Sequence, residues 1–242
     1  MILPIILHLA GLLHAMPMSD TVFLGARGPF RFLVDTGAQS TVVSPGLAAA
    51  AGLTAGWRVE VVTVTGKRLV PAGSADVVVG GVSVSGAEVL FYDPPRGFDG
   101  VLGQSVLGRL DYLIDGRGEL RIGAPAPVGE RLPLDRVYDR PAVSVDVDGV
   151  RMRLVLDSAA SHMVLFDEKA EGRDAVLRTS AGYGPVAVRK LRSVAAGRAR
   201  LSAVEAAVAG RSGREEDGLL PARWFRAVYV NNAEGYVILA GR

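Results

Sequence analysis

Cysteine is absent from the 242 residues. That excludes disulfides and thiolate metal sites, and it leaves the redox compartment unspecified. Histidine is scarce, and His8, His14 and His162 lack the mutual spacing of a metal site. Aromatic residues make up only 6% of the chain, so few platforms exist on which a sugar ring could stack. Charge of one sign is lacking as well. Residues 1–126 hold nine basic against ten acidic side chains and residues 127–242 eighteen against fifteen, for a net charge of +2. Neither half has the basic excess that phosphate binding demands. Arg189, Lys190, Arg192, Arg198 and Arg200 do cluster, but no RNP, zinc or helix-turn-helix signature accompanies them. They read as the solvated outer face of a sheet, and no nucleic-acid partner is expected.

Long apolar runs are missing too. The first fifteen residues are apolar, yet Pro4 and His8 interrupt them and no Lys or Arg precedes them. The run is too short for a bilayer span and lacks the flank of an export signal. Leu3-Pro4-Ile5 resembles Leu132-Pro133-Leu134, and Met16-Pro17-Met18 resembles Arg140-Pro141-Ala142. On that likeness the N-terminus reads as the first strand of a repeat; localisation stays open between cytoplasm and export.

What is present is a core-forming composition, 49% hydrophobic and 21% charged, which argues for a packed protein rather than a disordered one. Phe32-Leu33-Val34-Asp35-Thr36-Gly37-Ala38-Gln39-Ser40 runs three apolar residues into an acid, a hydroxyl and a glycine. An acid at the end of a buried strand is costly unless it is hydrogen-bonded or functional. Arg153-Leu154-Val155-Leu156-Asp157-Ser158-Ala159-Ala160-Ser161 repeats the pattern 122 residues later, about half the chain. The ends of the halves repeat too. Asp99-Gly100-Val101-Leu102-Gly103 is echoed by Asp217-Gly218-Leu219-Leu220-Pro221, each followed by a closing hairpin. Internal duplication explains this order, with Gly123-Ala124-Pro125-Ala126-Pro127-Val128-Gly129 as the linker.

Within the first half, strands are expected over 16–24 and 30–35 around a turn at 25–29. A helix should start at Ser44-Pro45 and close at Gly52. Further strands are expected over 59–64, 75–79, 82–85 and 87–92, with Thr65-Gly66-Lys67-Arg68 as a hairpin tip. Asp99, Asp217, Asp115 and Asn231 read as turn residues, and Trp224 and Phe225 as core.

Two carboxylates brought together cannot both ionise comfortably, so one pKa rises and the pair holds a proton. The charged member can then act as a base toward water while the protonated one polarises a carbonyl. A hydroxyl after each acid can bond across to the other half, and glycine lets backbone N–H groups approach the carboxylates.

These motifs resemble a retropepsin-type aspartic protease lobe, and the chain resembles two such lobes in tandem, as in bilobal bacterial members of the retropepsin-like/pepsin-like superfamily. The shared-proton behaviour is taken over from the known aspartic-protease dyads. The resemblance implies an all-β fold of two pseudo-two-fold-related retropepsin-like β-barrel lobes with short helices, residues 1–124 and 125–242. It implies an aspartic endopeptidase acting on a peptide or protein substrate through a water, with no metal or cofactor. Asp35 and Asp157 would be the catalytic dyad, supported by Thr36, Gly37, Ser158 and Ala159. Flap tips would lie at Thr65-Gly66 and Gly182-Tyr183. Both acids lie on one chain, so a monomer containing an intramolecular pseudo-dimer suffices.

The second half departs from the pattern in two places. Ala159 stands where glycine is usual, and Pro221 where the first half has Gly103. Those departures keep open a catalytically impaired bilobal peptide- or protein-binding protein. A paired-carboxylate glycosidase ranks last, given the low aromatic content.

Overall fold

The computed structural model describes residues 5–8, 17–62, 67–169, 171–179, 182–211 and 213–241. The described chain is all-β, with two short helices, Pro45–Ala50 and Gln104–Leu107, and one 3-10 turn, Ala222–Trp224. Period-two burial drives the strands. In Lys67–Val79, for example, Ala75, Val77 and Val79 point into the core while Ser74 and Asp76 face out. The short helix is specified by its ends. Ser44 accepts a hydrogen bond from the Leu47 N–H at 3.2 Å, Pro45 occupies the first turn, and Gly52 follows at a φ of +72°.

The duplication appears as one strand order used twice. In the first sheet, strands run Met18–Leu24, Arg27–Val34, Gly100–Leu102, Thr41–Val43, Val82–Phe91 and Lys67–Val79, with Trp57–Val62 outside. Phe23 opposite Val78 closes six of them into a barrel. In the second sheet the corresponding order is Arg140–Val147, Val150–Asp157, Gly218–Pro221, Met163–Phe166, Ala199–Ala209 and Gly182–Ala196. Asp146 opposite Ala195 closes that ring in the same way. A third sheet of five strands joins the halves, since Tyr112–Asp115 pairs with Ala227–Asn231. Its inner face is continuous with both barrels, so Tyr112, Val230 and Val237 share one apolar cluster with Phe32 and Leu154. No helix among the described residues is long and apolar enough to cross a membrane.

Two local expectations change. Ile5–His8 is a strand, but it lies parallel to Arg173–Thr179 on the second barrel's sheet, with Ile5 beside Ala175. It does not pair with the first barrel. A sheet edge presents unpaired N–H and C=O groups to any strand that reaches it, and sequence likeness carries no information about which edge is free. The turn expected over 25–29 is also tighter, because the strand resumes at Arg27 after Gly25 at a φ of +56°.

Candidate active site

Asp35 and Asp157 end two strands that hold equivalent places in the two barrels. Phe32, Leu33 and Val34 are buried, as are Leu154, Val155 and Leu156, so each strand is locked in the core up to the residue before its acid. The end of the first strand is fixed by the Asp35 N–H donating to the Leu102 carbonyl at 3.0 Å. Further back, the Asp99 carboxylate accepts from the Arg31 N–H at 2.8 Å, and the Asp217 carboxylate accepts from the Arg153 N–H at 2.8 Å. Asp99 and Asp217 are therefore strand-pinning residues outside the acid pair.

The two acid-bearing turns are tied to each other by four buried hydrogen bonds. The Thr36 N–H donates to Ser158 Oγ at 3.0 Å, and the Ser158 N–H donates to Thr36 Oγ1 at 3.0 Å. Each hydroxyl then passes its own proton further across. Thr36 Oγ1 donates to the Leu156 carbonyl at 2.6 Å, and Ser158 Oγ to the Val34 carbonyl at 2.7 Å. Every hydroxyl is thus both acceptor and donor, and each bridges residues about half the chain apart. Buried reciprocal bonds of this kind fix the relative placement of the loops because every broken bond strands a partner.

Gly37 shows how close the halves come. A Cβ built there would sit 2.7 Å from Cγ and Oδ2 of Asp157, so the second carboxyl lies directly against the first turn. The need for glycine is steric rather than conformational. The Gly37 N–H donates to Asp35 Oδ1 at 2.9 Å. Asp157 Oδ1 accepts from the N–H groups of both Ala159, at 2.9 Å, and Ala160, at 2.8 Å.

Both acids are half-buried as residues, and protein closes in on their carboxyls. Burial, followed by the nearby Asp157 charge, pushes the Asp35 pKa up to about 8. Burial raises Asp157 as well, opposed by the N–H groups of Ala160 and Ala159. Tyr92, pushed up to about 12 by burial and then by the Asp35 charge, stands near the first acid. Arg68, on the stem of the hairpin that follows Trp57–Val62, lies over the Tyr92 ring at 4.4 Å. Such a pair can meet a ligand with an apolar face, a hydroxyl and a cation.

The two departures of the second half fit locally. The Ala159 methyl packs against the apolar cluster of Leu33, Val42 and Val101 in the first barrel, so it occupies space at the lobe boundary. Gly103 donates its N–H to Thr41 Oγ1 at 3.1 Å, and a Cβ there would meet the Ser40 carbonyl at 2.4 Å. In the second half Pro221 has no N–H, and the counterpart of Thr41 is the fully buried Met163. Donor and acceptor have been lost together, which leaves no orphan and costs little.

Sequence reasoning missed Gln104, Tyr92 and Arg140. Gln104 is buried and its Nε2 donates to the Thr36 carbonyl at 3.0 Å, which ties the first acid turn to the helix beneath it. Its counterpart, Ala222, cannot do this, so no repeat pattern flagged it. The expected first flap tip, Thr65-Gly66, lies outside the described residues. Gly182 and Tyr183 begin the strand Gly182–Ala196 beside a hairpin end, paired with Thr179 and Arg178. Tyr183 is exposed.

The structure thus brings two strand-end acids together, joined by reciprocal hydroxyl bonds between two like barrels. Residues 21–106 match the family model described as aspartyl protease, a span that contains Asp35-Thr36-Gly37 and most of the first barrel. That match supports the resemblance to retropepsin-like aspartic proteases that the sequence motifs carry. A solved structure titled a retropepsin-like aspartic protease from Rickettsia conorii is similar at 19% identity and a TM-score of 0.35, covering 46% of this chain and 89% of that one. No curated protein matches the chain.

Proposed function

We propose that the chain is an aspartic endopeptidase whose Asp35 and Asp157 share one proton and activate one water. The observation that carries this reading is the reciprocal bracing of Thr36 and Ser158, which serves no purpose in an ordinary turn but holds two acids in fixed register. In the proposed reaction the ionised carboxylate removes a proton from water as its oxygen attacks the peptide carbonyl carbon. The protonated carboxyl donates to the carbonyl oxygen, giving a neutral gem-diol. Collapse then returns the proton to the amide nitrogen, the C–N bond breaks, and an acid and an amine leave.

The substrate would lie extended across the cleft between residues 1–124 and 125–242, with Gly182-Tyr183 of the second half over it. The match of residues 21–106 to the aspartyl protease family supports the class of chemistry. The presence of both acid turns on one chain supports a working monomer.

The test is peptide turnover by Asp35→Asn and Asp157→Asn, each checked for folding by circular dichroism. Both should lose hydrolysis by at least about three orders of magnitude, since general acid–base help and charge are removed together. Undiminished turnover in either folded variant would sink the proposal.

A further inference from the structure

Beside the acid turns the first half holds a cation on an aromatic ring, and the second half has neither. Burial alternates along Lys67–Val79, so Arg68 shares a face with the buried Val70 and Ala72, while Leu69 is exposed on the other face. Across the hairpin Arg68 stands opposite Val61, and Val70 opposite Val59. Val59, Val61 and Val70 belong to the apolar cluster that also takes in Tyr92, Ala38 and Ala159. Ala38 lies in the turn of Asp35 and Ala159 in that of Asp157, so the hairpin face bearing Arg68 is the one turned toward the two acid turns.

The Arg68 guanidinium lies over the Tyr92 ring at 4.4 Å. A guanidinium held by its flat face keeps N–H donors at its edge for a carboxylate. The neighbouring Lys67, on the outer face, already pairs with Glu60 at 3.2 Å. Among the described residues Arg68 has no carboxylate within ion-pair distance.

Register locates the counterparts in the second half. Leu90 lies beside Val42 and opposite Ala72, and Ala207 lies beside Val164 and opposite Val188. Val42 and Val164 sit in turn against Val101 and Leu219 of the repeated Asp-Gly segments. Counting along the strands from these pairs sets Tyr92 against Ala209 and Arg68 against Gly184. Ring and cation are therefore absent together from the second half, and the cleft is chemically one-sided at this level.

Resting on the proposed peptidase reading of this site, we propose that Arg68 and Tyr92 form a specificity-determining subsite on the first-half side of the cleft, which takes an acidic side chain, Glu or Asp, of the extended peptide beside the bond that is cut. The carboxylate would accept charge-assisted bonds from the Arg68 N–H groups, with the methylene stem against Tyr92 and Val61. A Lys or Arg side chain in the same place would meet a like charge, so the subsite both attracts and rejects. Arg140 adds a positive charge felt by both acids, which is compatible with an acidic ligand nearby.

The test passes a diverse peptide library, capped at both ends so that only side chains carry charge, over the immobilised full chain bearing Asp157→Asn. Retained peptides are read by mass spectrometry. Glu and Asp should be enriched over Gln and Asn at one position by about tenfold. In Arg68→Met that ratio should fall to near one, and in Arg68→Glu the same position should turn to Lys and Arg, a reversal that a merely structural role would not produce. Equal retention of Glu and Gln at every position, or an acidic preference that survives Arg68→Glu, would overturn the proposal. So would a folded chain that retains no peptide. Cleavage of the library by the wild type separates the two readings. Cutting without acidic preference leaves the peptidase and removes the subsite, whereas Arg68-dependent retention without cutting does the reverse.

Discussion

Thr36 and Ser158 are the residues on which the site geometry depends most. Thr36→Val keeps shape but removes Oγ1, leaving the buried Ser158 N–H and Leu156 carbonyl without their partner. The expected cost is about 2–3 kcal/mol of folding stability, measured by denaturant unfolding, together with a large fall in turnover. Thr36→Ser should recover most of both. Gly37→Ala tests the closeness of the halves in another way. Its methyl would land 2.7 Å from the Asp157 carboxyl carbon, so the second acid must move. Turnover should fall by roughly a hundredfold or more, as displacement of a reacting group by about 1 Å entails. An active Gly37→Ala variant would mean that the carboxyls do not work in this spacing.

At the scale of elements, the second half's substitutions look matched. Pro221 stands opposite Asp157 in register, and its missing N–H is answered by Met163 where the first half has Thr41. Pro221→Gly should therefore bring no gain in activity. It should lower stability by up to about 1 kcal/mol through the freer unfolded chain, as thermal or denaturant unfolding would record. Asp35 and Asp157 were legible as candidates because their turns repeat at half-chain spacing. The Ser44-Pro45 helix start was legible because capping chemistry is local. Contacts without a repeat or a local rule were not. Gln104 reaches Thr36 only after folding, Arg140 comes near both Asp35 and Asp157 only in the folded chain, and Ile5–His8 takes an edge on the other barrel. The barrels were readable from period-two burial and glycine turns, whereas the sheet joining them depends on pairing between Tyr112–Asp115 and Ala227–Asn231, far apart in sequence.

For the whole molecule, holding an acid pair among desolvating neighbours links stability to pH. The folded-state pKa of Asp35 lies near 8, above the ordinary value of 3.8 in the unfolded chain. The unfolded chain therefore gives up this proton first. The contribution of this group is fully present in acid below the unfolded value, and it is lost as pH rises through the folded one. Asp35→Asn, which stays neutral, should unfold like the wild type in acid and be more stable than it above pH 8, by roughly 2 kcal/mol after allowance for the partial exposure of the residue. Equal stability at alkaline pH would show that Asp35 is not held protonated by its surroundings.

In the proposed function, the braced acids cut peptide bonds. The most direct measurement exposes a diverse peptide library to the purified chain across acidic and neutral pH, reads products by mass spectrometry, and measures binding of the same peptides alongside. The expected result is cleavage of extended peptides by the wild type and binding without cleavage by Asp35→Asn. Binding without cleavage by the wild type at every pH would contradict it.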